Sequence, residues 1–322
     1  MDIFYPIQLL ADFVSYNLVG LAKGSYLANT INFFIYDVIK IGLLLLIINF
    51  VMAIVNYYFP MEKARDILTK KRWFGMNYLI AALLGVVTPF CSCSSIPLFI
   101  GFTGAGIPLG ITFAFLISSP LINESSLYLF PAMFGMKVTI LYNLFGLTIA
   151  VLGGMLIQRL KLEKYILPDL LKFKPKSKEE LGKIPLKLLI RYFLERGMSI
   201  TKKIFPYLIL GVAVGAIIHG FVPQSIIENY LSSKSLWTVP LAVLFGTPLY
   251  ANSVSVLPIM EALAGKGVPL GTVLAFMTAI VTLSLPEAII LKKVMRWQLL
   301  AIFFGITIVG IIIMGYLFNA IF

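Results

Sequence analysis

The sequence predicts an all-α integral membrane protein made of two inverted repeats with discontinuous helices. It predicts about ten transmembrane helices, with eight as the alternative count. Three observations predict this class. The chain has too few charges to cover a water-facing surface, its basic residues fall into three blocks, and motifs of its first half recur 159 to 163 residues later.

The 322 residues are 60% hydrophobic and only 12% charged, with a mean hydropathy of +0.96. A soluble domain carries about a quarter charged residues, so lipid must be the solvent for much of this chain. Apolar runs cover residues 41–58, 78–90, 96–121, 138–157, 204–218, 236–263, 268–291 and 299–322. They do not alternate with period two, which excludes an outer-membrane barrel. The first 30 residues, with Asp2, Asp12 and Lys23, lack the pattern of a cleaved signal peptide. Residues 5–21 are expected to form an amphipathic helix on the membrane surface.

The net charge is +12, and 21 of the 26 basic residues lie in residues 60–72, 159–203 and 292–296. Such blocks mark cytoplasmic loops, so all three are placed there. Basic loops account for the charge without nucleic-acid binding. The expected organisation is an N-terminal interfacial segment (1–35), a first membrane repeat (36–158), a basic cytoplasmic linker (159–203) and a second membrane repeat (204–322). With an odd number of crossings per half, the second half enters the membrane inverted. The chain is then a multi-pass protein of the inner or plasma membrane, as a monomer or a homo-oligomer.

The duplication rests on particular residues. The stretch from Gly106 to Phe115 matches the stretch from Gly267 to Phe276 at six of ten positions. Thr88-Pro89 parallels Thr247-Pro248, Pro97 parallels Pro258, and Asn123-Glu124 has a counterpart near Pro286-Glu287. Inverted repeats with broken helices characterise secondary transporters. The breaks are expected at residues 88–97 and 246–255, where proline interrupts helical hydrogen bonding among small polar residues. Unwound backbone at membrane depth is tolerated where it faces protein or a wet cavity. The expected substrate contacts are therefore Thr88, Pro89, Cys91, Ser92, Cys93 and Ser94 in the first half, with Thr247, Pro248, Asn252 and Ser253 in the second.

These segments resemble the ArsP-type permease family, a group of predicted permeases. The resemblance is carried by Thr88-Pro89-Phe90-Cys91-Ser92-Cys93-Ser94-Ser95, by Gly106-Ile107-Pro108-Leu109-Gly110 and by Ser119-Pro120-Leu121-Ile122-Asn123-Glu124. The second-half stretches from Gly246 to Tyr250 and from Gly267 to Gly271 extend it, and it covers the chain from about residue 36 onward. It implies a permease whose relatives export trivalent organoarsenicals or are linked to copper or zinc export. Some relatives carry adjacent cysteines, where this chain has Cys-Ser-Cys.

Cys91 and Cys93 are the candidate ligands for a soft metal or metalloid, since thiolates bind such centres. The bland alternative is that they pack as small apolar residues at a helix break. Glu124 and Glu287 are the candidate coupling residues: acids in apolar surroundings are costly and usually functional, and burial favours their protonated form. The alternative is an interfacial acid at a helix start, and Glu287, five residues before Lys292, is placed to reach the cytoplasmic interface. Asp37 and Lys40 read as ordinary charges at the mouth of the first crossing. Trp73, Trp237 and Trp297 stand at segment starts, as aromatic-belt residues do.

No nucleotide-binding motif appears, so no cofactor is expected and any pumping is gradient-driven. The function that follows is a secondary transporter exporting a small soft or thiol-reactive solute, such as a trivalent organoarsenical. Its alternatives are a copper, zinc or small-anion transporter and, in another class, a membrane thiol oxidoreductase. The last lacks a Cys-x-x-Cys pair, and the chain is not expected to be an enzyme.

Overall fold

The computed structural model of the chain describes residues 5–22, 25–58, 75–87, 92–123, 125–167, 185–221, 237–249 and 267–322, with isolated positions between 256 and 264. Among these residues the structure is helical, and its one isolated bridge is an antiparallel pairing of Ile166 with Met295. Among the described residues three helices are long and apolar enough to cross a membrane. They are the Leu27–Val51 part of α2 (Tyr26–Tyr58), α6 (Met136–Arg159) and α11 (Trp297–Ile321).

Between them lie shorter helices: α3 (Met76–Val87), α4 (Ser92–Gly104) and α5 (Leu109–Leu121) in the first half. In the second half come α8 (Thr238–Gly246), α9 (Leu270–Thr282) and α10 (Leu285–Leu291). Twelve or thirteen residues extend about 18–20 Å, well short of a hydrocarbon core about 30 Å thick. Of the break expected at residues 88–97, residues 92–97 are instead helical, with Pro97 inside the first half of α4, and residues 88–91 lie outside the described residues. A long helix α7 (Leu186–Phe221) packs along α2 and runs unbroken past residue 203, where the linker was expected to end. The N-terminal α1 (Tyr5–Asp12) docks on α2 through Asp12, whose carboxylate accepts from Gln8 and from Asn32 at 2.9 and 2.7 Å.

The repeated Gly-x-Pro-Leu-Gly stretch has a physical cause. Gly106 takes a φ of +77°, a left-handed conformation that L side chains rarely adopt. Its N–H bonds the Thr103 carbonyl while that of Ile107 bonds Phe102, which terminates α4 in a Schellman turn. Pro108, with φ of −52°, then caps α5. The same pair of bonds, Gly267 to Ala264 and Val268 to Leu263, precedes Pro269 and α9, with φ of +82° at Gly267.

The closing glycine of each stretch lets two backbones touch. A Cβ on Gly110 would strike the Gly154 carbonyl, and one on Gly154 would strike the Gly110 carbonyl and Ala114. In the second half Gly271 meets Gly315, and Gly315 meets Ala275. Each contact sits 161 residues after its first-half equivalent. The first turns of α5 and α9 need acceptors for their free N–H groups, and a neighbouring helix supplies them. Gln158 accepts from Gly110 N at 2.9 Å, and Asn319, again 161 residues on, accepts from Thr272 N at 3.2 Å.

Helices α6 and α11 cross antiparallel, with Gly153 facing Ile306 and Gly310 facing Ile149. The end at which α6 finishes and α11 starts is pinned by two backbone bonds, Leu167 N to Val294 O (2.9 Å) and Arg296 N to Tyr165 O (2.8 Å). The start of the second basic block thereby shares one end with the third, with Arg159, Lys161, Lys164, Lys292, Lys293 and Arg296 all exposed there. Residues 60–72 lie outside the described residues. Trp237 and Trp297 are exposed at the starts of α8 and α11, as belt residues should be.

The glycine contacts give the first prediction. Gly110→Ala and Gly271→Ala should each destabilise the detergent-purified protein by about 1–3 kcal/mol, the usual cost of overpacking. Gly305→Ala has open space around it and should leave the melting temperature unchanged. Equal melting temperatures for all three would show that the close approach carries no stability.

Candidate functional site

At the centre lie two helices with almost no exposed surface. All thirteen residues of α5 are buried, and so are all of α9 except Leu270 and Val281. Polar groups concentrate in their C-terminal halves. Pro120 has no N–H to donate back along α5. Ser118 Oγ donates to the Phe115 carbonyl (3.0 Å) and Thr278 Oγ1 to that of Leu274 (2.6 Å). The hydroxyls of Ser119 and Thr282 are buried with no hydrogen-bond partner among the described residues.

Tyr142 of α6 joins the two halves. Its hydroxyl lies 3.2 Å from the Leu121 carbonyl, at the end of α5, and 3.0 Å from Thr278 Oγ1 of α9. Phe303 of α11, 161 residues after Tyr142, packs on Phe113 of α5 at 5.5 Å between ring centroids. Equivalent side chains thus bridge from each long helix to the opposite short one, by a hydrogen bond on one side and an apolar contact on the other.

Helices α3 and α8 run onto these same C-terminal halves. Gly85 of α3 lies against the Phe115 carbonyl and Ser118, and Gly246 of α8 against the Phe276 carbonyl and Ala279. Both segments expected to be unwound therefore leave from equivalent places beside the crossing of α5 and α9. Of the expected contacts, Thr88, Pro89, Cys91, Asn252 and Ser253 lie outside the described residues, as does Glu124. Ser92, Cys93 and Ser94 form the first turn of α4, and their side chains also lie outside the description. Thr247 and Pro248 close α8 and are half-buried, with the Thr247 hydroxyl donating to the Val243 carbonyl at 2.7 Å.

Four sequence readings change. Glu287 does not reach an interface: it is fully buried in the first turn of α10, where Ser284 Oγ caps its N–H at 3.4 Å. Its counterpart is not Glu124. The equivalent cap is Asn123 with Ser126, whose N–H bonds Asn123 Oδ1 at 3.0 Å, which sets Ser126 opposite Glu287 at the common spacing of 161. The Gly85–Gly246 register likewise puts Thr247 two positions out of step with Thr88. Finally, α2 starts at Tyr26 instead of near residue 36, so Asp37 falls inside the apolar span and is only 8% exposed. Lys40 turns back onto Tyr36, 3.3 Å from its hydroxyl.

The sequence did not single out Tyr142, Thr278 and Thr282, and gave Ser119 only as the first residue of a family stretch. Their only signal is a polar residue inside an apolar run, which hydropathy averages away.

Comparison with known proteins adds the family. The sequence model of a family described as predicted permeases matches residues 26–320. The chain belongs to this ArsP-type permease family. The permease is 24% identical to the UPF0718 protein MJ0584 of Methanocaldococcus jannaschii, over 91% of its own length and 97% of that protein. It is 27% identical to the UPF0718 protein YcgR of Bacillus subtilis, over 56% of its length and 62% of that protein. No solved structure matches it. The family indicates a membrane transporter rather than an enzyme.

The Tyr142 bridge gives the second prediction. Tyr142→Phe and Thr278→Val should each lower stability by about 1 kcal/mol, the net worth of a hydrogen bond. The double variant should cost less than the sum, because the two groups share one interaction. Strict additivity in urea melts would show that the hydroxyls do not interact.

Proposed function

We propose that the permease is a multi-pass secondary transporter of the inner or plasma membrane, built as two inverted repeats and exporting a small soft or thiol-reactive solute. The observation that carries this reading is the recurrence of contacts at one spacing, 161 residues, around two buried helices too short to span, with the long helices α6 and α11 antiparallel. A fold of this kind presents two equivalent half-sites to alternate sides of the membrane. The repeats comprise residues 36–158 and 204–322 and are joined by the linker 159–203.

The solute path runs where α3 and α8 end, between the segments carrying Thr88, Pro89, Cys91, Ser92, Cys93 and Ser94 and those carrying Thr247, Pro248, Asn252 and Ser253. Cys91 and Cys93 are the ligands for a trivalent organoarsenical. The buried hydroxyls of Ser119 and Thr282 supply polar contacts at the crossing, since an unsatisfied buried hydroxyl is costly and persists where function needs it. Glu124 and Glu287 carry the coupling proton. Glu287 is buried in the first turn of α10, where Ser284 caps its N–H.

The test is transport in sealed, everted vesicles with an imposed pH gradient. A trivalent methylarsenical should accumulate. Cys91→Ser with Cys93→Ser should weaken its binding at least about tenfold, the equivalent of about 1.4 kcal/mol. Glu287→Gln should abolish pH-driven accumulation while leaving solute exchange in place. Accumulation of copper, zinc or a small anion instead would replace the organoarsenical as solute. No movement of any solute under any gradient would refute the transporter reading.

A further inference from the structure

Where α6 and α11 cross, their outward faces leave an elongated apolar groove of about 290 Å³. Its lining pairs at the same spacing as the interior contacts: Thr148 with Val309, Leu152 with Ile313 and Leu156 with Leu317, and its other residues pair likewise. Leu152, Leu156, Val309 and Ile313 are 46–59% exposed. Both helices have the length and composition of membrane spans, so this groove opens toward hydrocarbon.

The lining runs from residue 145 to 156 on α6, about 17 Å at 1.5 Å per residue, and Thr148 alone among its lining residues is polar. An apolar strip of that length, open to hydrocarbon, suits an extended acyl chain.

The two ends of the groove differ in charge. Leu152, Leu156 and Arg159 follow one another at helical spacing on α6, so the apolar stripe runs directly into an exposed guanidinium. Lys161, Lys164, Lys292, Lys293 and Arg296 are exposed at the same end, held there by the pairing of Ile166 with Met295. At the opposite end the position equivalent to Arg159 is Ala320. We infer that this groove binds one acyl chain of an anionic phospholipid of the surrounding bilayer, with the headgroup phosphate held at the basic end by Arg159 and its neighbours. The halves offer two apolar walls with unequal ends, six exposed cations at one against Lys137 of α6 at the other, so the lipid binds from the leaflet on the basic side.

The experiment uses the purified full chain in detergent, titrated with phosphatidylglycerol or phosphatidylcholine of the same acyl chains. Bound lipid is counted by native mass spectrometry and stabilisation read from melting. Phosphatidylglycerol should be retained as a single tight copy and should raise the melting temperature more than phosphatidylcholine does. Arg159→Gln should cut the preference for the anionic lipid about fivefold, from about 1 kcal/mol per basic residue. Val309→Trp, which fills the groove from an exposed position, should abolish retention of the tight copy. Ile140→Trp, exposed on α6 outside the groove, should not. Equal retention of both lipids, or loss of a dimer in Val309→Trp in place of a lipid, would overturn the inference, the latter in favour of a second copy of the chain on this face.

Discussion

In hydrocarbon a backbone amide has no water to turn to, and every interrupted helix opens with N–H groups that something else must satisfy. This chain interrupts its helices repeatedly, and the rest of the fold follows from how it meets that constraint. Glycine pairs bring α5 onto α6 and α9 onto α11 with backbone touching backbone. At that distance a side-chain amide on the long helix reaches the first turn of the short one. Gln158 does this in one half and Asn319 in the other. The short helices can then lie wholly inside the protein, because their exposed ends are answered by a neighbour.

The same contacts fix where polar chemistry can occur. Helices held by their N-terminal turns leave their C-terminal halves to meet each other, and this is where Ser119, Tyr142, Thr278 and Thr282 collect. The equivalence of the halves is not complete. Tyr142 makes a hydrogen bond where Phe303 makes an aromatic contact. Glu287 is the buried residue whose N–H Ser284 caps, where the other half has Ser126 capped by Asn123.

Much of this was legible in the sequence, for definite reasons. Gly106-Ile107-Pro108-Leu109-Gly110 and its second-half match spell a helix stop, a helix start and a close approach, each of which restricts residue type strongly. The interruptions were expected from Pro89, Pro97 and Pro248, yet α4 runs as a helix through Pro97. Residue identity misled where several types do the same job. Asn123 and Ser284 cap alike, as Gln158 and Asn319 do, yet no letters match, so the true register of 161 was hidden there. Matching the letters of Glu124 and Glu287 gave a spacing two residues too long. Asp37 was misread because α2 starts fifteen residues before the apolar run of residues 41–58, so a charge that looked terminal is interior.

The central claim is that the second half repeats the first upside down in the membrane. Lys137 and Gln298 test it most directly. They are 161 residues apart, both exposed, and each is the second residue of its long helix. In a background with Cys91 and Cys93 replaced by serine, Lys137→Cys and Gln298→Cys are probed in intact cells with a membrane-impermeant maleimide. The account predicts labelling of Lys137→Cys from outside, and labelling of Gln298→Cys only after the membrane is opened. Labelling of both from the same side would contradict it.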